Sequence, residues 1–275
     1  MPPRSRIGNY TSCYSVLNGE SLFVFDGGRG LAALAAAMRR QARFRAVRRA
    51  YVLVSHAHLD HWEGLKDADW FWDKGHGLEV HILGSGEAIR AIRTAYSHPL
   101  YVDLKLLAAA TVHRVRYRRL RAGDRLRVGG WVLRTEPLHH YSGEGASYRV
   151  LDTLGFRLTA PDGATLAYLC DHAPTPKTRE VEQRLLEGSH LALYDAHFPD
   201  IRHHAHGHGS QEHASRMARA NPSVLVLAGH HGPVLSDVEI RSAYRRHRRA
   251  NFALAREGAS WRWDAARSTF VKRRP

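Results

Sequence analysis

Apolar and polar positions along the chain change period every few residues. Residues 10–17 and 21–25 are β-like runs, and Asn18-Gly19 between them is a hairpin turn signal. Asp26-Gly27-Gly28 ends the second run, and residues 31–49 read as an alanine-rich helix with arginine on one face. The apolar run 51–54 predicts a strand, as does 78–83, with a helix over 85–96. Residues 97–120 fit neither period. Strands are predicted over 125–134 and 148–159, with 131–136 leading into Pro137. Asp162-Gly163 turns into a strand at 165–169, followed by a short helix at 181–186 and a strand at 191–194. A helix over 210–220 and a strand over 224–227 come next. Ser236 and Glu239 have capping-box spacing for a last helix running to about Glu257. This alternation predicts an α/β fold of two sheets packed face to face with helices outside, in a single domain over 1–275.

Composition narrows the class. The chain has 275 residues, 44% of them hydrophobic, enough for a sizeable core. No run of about 18 apolar residues occurs, so no membrane span is expected. The opening Met1-Pro2-Pro3-Arg4-Ser5-Arg6 has no apolar signal core behind it, and the expected location is cytoplasmic. Cys13 and Cys170 are too few for a disulfide framework and read as reduced, mostly buried thiols. The net charge of +15 fits nucleic acid, an anionic membrane surface or an acidic substrate. Only five of the 41 basic residues are lysine, a bias that a GC-rich genome would produce. The basic residues spread over 39–49, 114–127, 241–249 and 272–274, without an aromatic-basic RNA-binding motif. A solvated basic surface therefore stands beside a nucleic-acid footprint, and the charge steers anionic substrates in either case.

Candidate chemistry concentrates at Ser55-His56-Ala57-His58-Leu59-Asp60-His61, directly behind the run 51–54. Three imidazoles and a carboxylate fall within six positions. Polar groups crowded beside a core cost stability, and a cation satisfies them. Two metals need further ligands, and candidates stand at later strand ends: Pro137-Leu138-His139-His140, Tyr168-Leu169-Cys170-Asp171 and Leu227-Ala228-Gly229-His230-His231. Strand alternation is expected to turn Cys170 away from the side Asp171 faces.

The HxHxDH pattern and the order of these segments resemble the metallo-β-lactamase superfamily of mostly dinuclear metallohydrolases. The resemblance implies a four-layer αββα sandwich across nearly the whole chain. It implies that His56, His58 and either His139 or His140, with His140 preferred, hold one ion. Asp60, His61 and His230 would hold the second, and Asp171 would bridge both. Two divalent ions are expected, zinc first, with manganese or iron as alternatives. They would share a water of lowered pKa, which Asp60 both helps to bind and orients. Asp26-Gly27-Gly28 resembles the family's first motif, whose aspartate supports the metal loop.

A second constellation resembles the phosphodiesterase branch, which includes tRNA 3′-processing endonucleases and cyclic-phosphate phosphodiesterases. Leu191-Ala192-Leu193-Tyr194-Asp195-Ala196-His197-Phe198 is followed by His206-Gly207-His208-Gly209-Ser210. In that branch an acidic residue after a strand pairs with the histidine of a Gly-His-Ser/Thr element, which contacts the scissile phosphate or protonates the leaving oxygen. Asp195 and His208 match those positions, although the endonucleases usually carry glutamate. The competing reading is a His-rich loop, since His203, His204 and His206 crowd the same stretch. Asn9-Tyr10-Thr11-Ser12-Cys13 also resembles the first strand of this branch. Ser210 reads as a helix N-cap, and Trp62, Trp70 and Trp72 as core rather than pocket lining.

The chain departs from the branch in two ways. It has no glycine-rich tRNA-gripping arm and no room for the second domain of mRNA-cleaving relatives. After His140, both Ser147-Tyr148-Arg149 and Leu154-Gly155-Phe156-Arg157 resemble the next strand, so an insertion is expected there. The resulting expectation is a dinuclear phosphodiesterase acting on a small anionic cyclic phosphate or nucleotide. One alternative is hydrolysis of a lactone, thioester or β-lactam, with His231 or Tyr141 stabilising the oxyanion. Another is nucleic-acid processing on the basic surface. A homodimer stays open, with residues 97–120 as a lid, a dimer contact or neither.

Overall fold

The hairpin predicted by Asn18-Gly19 forms: β1 (Tyr14–Asn18) and β2 (Ser21–Phe25) pair antiparallel, with Asn18 opposite Ser21. Gly19 supplies the positive φ of +56° that this turn needs. The structure, a computed structural model, describes residues 7–8, 10–73, 77–106, 114–143, 147–201 and 207–273. The chain divides into two units, Tyr10–Arg121 and Met1–Asn9 with Ala122–Pro275.

In the unit Tyr10–Arg121, β3 (Arg49–Val54), β4 (Glu79–Ser85) and β5 (Arg114–Leu120) extend the hairpin into a sheet of order β1-β2-β3-β4-β5. All pairings after the first are parallel. Inner strands of a parallel sheet are covered on both faces and read as continuous apolar runs. Accordingly β2 is buried throughout, and β3 everywhere but Arg49. Helices Gly30–Arg40 and Gly86–Ala95 bury Leu31, Met38, Ile89 and Ile92 in one cluster with Leu22, Val52 and Ile82. Trp62 and Trp70 belong to that cluster and Trp72 packs against it, which is the expected core role. The indole N–H groups of Trp62 and Trp72 donate to Ala57 O and Leu65 O.

The second unit holds β6 (Arg125–Val128), β7 (Trp131–Leu138), β10 (Thr153–Thr159), β11 (Thr165–Leu169), β12 (Leu191–Asp195), β13 (Leu225–Gly229) and β14 (Phe252–Leu254). Their order is β14-β13-β12-β11-β10-β7-β6, and the run from β11 to β14 is parallel. Helices Arg179–Leu186, Gln211–Ala220 and Asp237–His247 bury Leu185, Ala214, Ala218 and Ile240 with Leu169, Ala192 and Val226. β8 (Tyr141–Ser142) and β9 (Arg149–Val150) form a small separate ribbon, and β15 (Trp261–Asp264) pairs with β16 (Thr269–Lys272). The parallel run sets the carboxyl ends of β11, β12 and β13 side by side, where open α/β sheets carry their sites.

The α/β class agrees with the sequence, but several boundaries do not. The helix predicted over 31–49 stops at Arg40: Gln41 is extended, and residues 49–54 pair with β2 and β4 instead. Alanine content favours helix only weakly, and strand pairing overrides it. The last helix ends at His247 rather than near Glu257. Asn251 Nδ2 lies within hydrogen-bond reach of the carbonyls of Ala218, Asn221 and Val224, and the chain turns there into β14. The strand predicted over 125–134 is a hairpin, folded at Gly129 and Gly130, both with positive φ. Of the two rival segments after His140, Leu154-Gly155-Phe156-Arg157 is the sheet strand, and Arg149 belongs to the ribbon.

Residues 10–13 precede β1 rather than belong to it, and Asn9 lies outside the described residues, as do 107–113, His203, His204 and His206. Ser210 and Ser236 cap their helices as expected, Ser236 with the full capping box. Among the described residues, no helix is long and apolar enough to cross a membrane.

Candidate active site

β3 delivers Ser55 to His61 from its carboxyl end. Asp26, just past the neighbouring β2, is fully buried with φ +57°. Its carboxylate accepts Ser55 N–H at 2.7 Å, Ser55 Oγ–H at 2.9 Å and His61 Nδ1–H at 2.7 Å. A carboxylate only accepts, so the His61 proton sits on Nδ1 and the lone pair on Nε2. That Nε2 lies 3.5 Å from Asp60 Oδ2. His56 Nδ1 is 3.0 Å from Ser55 Oγ, and the His56 ring centroid lies 4.7 Å from that of His58 and 4.2 Å from that of His61. Metal-binding imidazoles are characteristically held this way, through the other ring nitrogen. Asp26 thus has its expected supporting role in the loop. A Cβ at Gly28 would collide with Asp60 O, and one at Gly64 with Gly28 O, so the loop closes on bare backbone.

In the second unit the buried His140 donates from Nδ1 to Gly207 O at 2.7 Å and points Nε2 at Asp171 Oδ2, 3.6 Å away. His139 turns its ring toward Tyr141 instead, 5.9 Å between centroids. Asp171 follows β11 and His230 follows β13, with His230 Nε2 3.2 Å from Asp171 Oδ1. Asp26, Asp171 and His230 are three of only four non-glycine residues with positive φ among the described residues. Such conformations cost about 1–3 kcal/mol each and persist where surrounding structure enforces them, often at functional sites.

The expectation for Cys170 is overturned. β11 ends at Leu169 and Asp171 is left-handed, so strand alternation no longer applies. The thiol donates to Asp171 Oδ1 at 2.9 Å and shares its side.

Asp195 ends β12 and is fully buried. It accepts the backbone N–H groups of His172, His197 and Gly209, each at 3.0 Å, and His208 Nδ1–H at 3.1 Å. Burial alone would raise this carboxyl, but the charge and hydrogen bond of His208 outweigh it and hold it well below the usual range. His208 is thereby pinned at Nδ1. Its ring stacks on His197 at 4.1 Å and lies 5.2 Å from the ring of His230.

Sequence reasoning missed a further buried carboxylate. Glu182 contacts Tyr194, His172 and His213 at 2.5, 3.0 and 2.8 Å. A signal existed: Glu182 lies three and four positions before Leu185 and Leu186, on the helix face that is buried. It missed His197 as well, which stood unassigned beside Asp195.

The loop of the first unit and the strand ends of the second thus each gather imidazoles with carboxylates, a donor set suited to divalent cations. The β-lactamase superfamily domain matches residues 22–231 of this chain. No curated protein matches it significantly in sequence. Among solved structures, Zn(2+)-bound PqqB from Methylobacterium extorquens aligns with TM-score 0.66 and 15% identity over 92% of this chain and 88% of its own. A diphosphatase of the PhnP family aligns with TM-score 0.60 and 18% identity over 90% and 82%. Unliganded yeast PDE1 gives 0.61 and 12% over 93% and 94%. The family match spans most of the chain: it belongs to the β-lactamase superfamily and is a metal-binding hydrolase of the metallo-β-lactamase fold.

Proposed function

We propose that this hydrolase is a dinuclear, metal-dependent phosphodiesterase of the cytoplasm, acting on a small cyclic phosphate or nucleotide. The observation that carries the reading is the Asp195–His208 pair, an imidazole pinned at Nδ1 by a buried, ionised carboxylate. In this reading the two units serve as one domain. His56, His58 and His140 would hold one ion and Asp60, His61 and His230 the other, with Asp171 as a ligand shared by both. Two zinc ions, or manganese or iron, would supply an activated water and neutralise charge developing on the phosphate.

The chain's own groups do the rest. Asp60, partly exposed beside His61, accepts the hydrogen bond that orients the attacking water. Asp195 stabilises the imidazolium form of His208. His208 Nε2–H then gives its proton to the leaving oxygen as the P–O bond breaks. The net charge of +15 favours encounter with an anionic substrate. Two structural neighbours, a diphosphatase and yeast PDE1, are consistent with phosphate chemistry, and PqqB with zinc.

Carbonyl hydrolysis is the weaker reading. It needs an oxyanion donor, and His231 is unsuited. Its Nδ1–H is used on Ala196 O, and burial pushes its pKa down to about 4, so at neutral pH Nε2 carries no proton.

The test is turnover by metal-reconstituted protein of bis(p-nitrophenyl) phosphate and a cyclic-nucleotide panel, beside His208→Ala and a lactone control. Cyclic-nucleotide turnover that collapses in the variant supports the reading. Turnover of the lactone alone moves the protein to carbonyl chemistry.

A further inference from the structure

Glu182 stands outside the proposed ligand set and outside the Asp195–His208 pair. Yet its partners all border segments that carry them. Tyr194 O–H donates to Oε2 at 2.5 Å, His213 Nε2–H to Oε2 at 2.8 Å, and His172 Nε2–H to Oε1 at 3.0 Å. Thr178 Oγ1 is 3.0 Å from Oε1. Tyr194 precedes Asp195, and His172 follows Asp171. His213 lies in the first turn of the helix capped by Ser210, two residues after His208.

These contacts fix one tautomer. His139 N–H donates to His172 Nδ1 at 3.2 Å, so that nitrogen is the acceptor. The His172 proton must then sit on Nε2, where only an acceptor fits opposite, and the Glu182 carboxylate supplies it. His172 N–H in turn reaches Asp195 Oδ2 at 3.0 Å, and Ala173 N–H reaches His139 O at 2.7 Å. One buried carboxylate therefore links the backbone before His140, the backbone after Asp171 and the end of β12.

We propose that Glu182 is the positioning residue of this site: by locking the His172 ring it sets His140, Asp171 and Asp195 at the spacing the site requires. The geometry stands by itself, while its functional consequence rests on the metal-centre reading above. Groups behind metal ligands are worth about 10–100-fold in affinity or activity. A carboxylate that merely stabilised the core would change the melting temperature and leave ligand geometry alone.

The test compares the full-length wild type with Glu182→Gln and Tyr194→Phe. In metal-free protein, long-range ¹H–¹⁵N spectra of the histidine side chains report the tautomer. Zinc affinity is measured against a chromogenic chelator, and kcat and KM with bis(p-nitrophenyl) phosphate. His172 is expected as the Nε2–H tautomer in wild type and as a mixture in Glu182→Gln. That variant should bind zinc about 10–100-fold more weakly and lose kcat by a similar factor. Its KM should move by less than about 3-fold, since ground-state substrate binding is untouched. Tyr194→Phe keeps both imidazole contacts, so it should keep the tautomer and lose less than about 5-fold in zinc affinity, below the loss expected of a group behind a metal ligand.

A wild-type tautomer in Glu182→Gln overturns the proposal. So do wild-type zinc affinity and kcat at a lowered melting temperature. If Glu182→Gln does not fold, His213→Gln, which removes an imidazole that holds the carboxylate, carries the test, and unchanged zinc affinity in it overturns the proposal. A wild type with the expected tautomer but no zinc binding overturns the metal-centre reading instead.

Discussion

Asp26 Oδ2 and His61 Nδ1 meet at 2.7 Å with neither side chain exposed to solvent. The pair decides which His61 nitrogen is available and where it points. Asp26→Asn can no longer act as a pure acceptor toward His61 Nδ1–H and both hydrogens offered by Ser55. It is expected to fold and to bind zinc about 10–100-fold more weakly in a chelator competition. Asp26→Ala also strands the buried partners, and should lose about 3–5 kcal/mol in denaturant unfolding. Zinc affinity unchanged in Asp26→Asn would count against His61 as a ligand.

If His208 protonates the leaving oxygen, its importance depends on how much that oxygen needs a proton. A p-nitrophenolate leaves readily without one, and an alkoxide does not. His208→Ala should therefore cost more with alkyl than with p-nitrophenyl diesters, within the range of about 10²–10⁴ typical of general acids. Equal losses across a leaving-group series would show that His208 only binds the phosphate.

Glu182 also makes the fold sensitive to acid. Burial would raise its carboxyl, but hydrogen bonds from His172 and His213 outweigh that and hold it far below its ordinary 4.5. The unfolded chain then takes up this proton at a higher pH than the folded one. Stability from Glu182 is fully present above about 4.5 and is lost as pH falls further. Denaturant titrations of metal-free protein from neutral pH downwards should show this loss in wild type, with a shallower slope in Glu182→Gln.

Gly64 and Gly28 hold the loop that carries His56 to His61 against bare backbone. A methyl at Gly64 meets Gly28 O, and one at Gly28 meets Asp60 O and Thr11 Oγ1. Backbone cannot step aside as a flexible side chain does, so either alanine variant should lose about 1–3 kcal/mol or more. Gly28→Ala should also retain less zinc after dialysis, because Asp60 moves with the clash. Full stability in Gly64→Ala would show that the loop is more pliant than its packing implies.

Much of this protein is written in local sequence. Inner strands such as β2, β3 and β11 are apolar after their first residue, because both faces are covered, and they stood out for that reason. Residues 55–61 stood out as a candidate metal loop because three imidazoles and a carboxylate in six residues have little use without a cation. Asp195 and His208 were legible as a pair only through resemblance, since nothing local links positions 13 residues apart. Where elements end was less legible. Residues 41–49 and 248–257 continue a helical composition, and their states were decided by strand pairing and by the Asn251 side chain.

The sequence by itself determined the α/β class, the donor types and the strand ends that carry them, because hydrophobic period and residue chemistry act over a few positions. Only the tertiary structure decided how each donor is aimed. It gave Asp26, Asp171 and His230 left-handed backbones, turned the Cys170 thiol onto Asp171, and chose His140 over His139 to face that carboxylate. It also brought Glu182 beneath three site-bearing segments. These outcomes depend on hydrogen bonds between residues far apart in the chain, and such bonds exist only once the strands have set their distances.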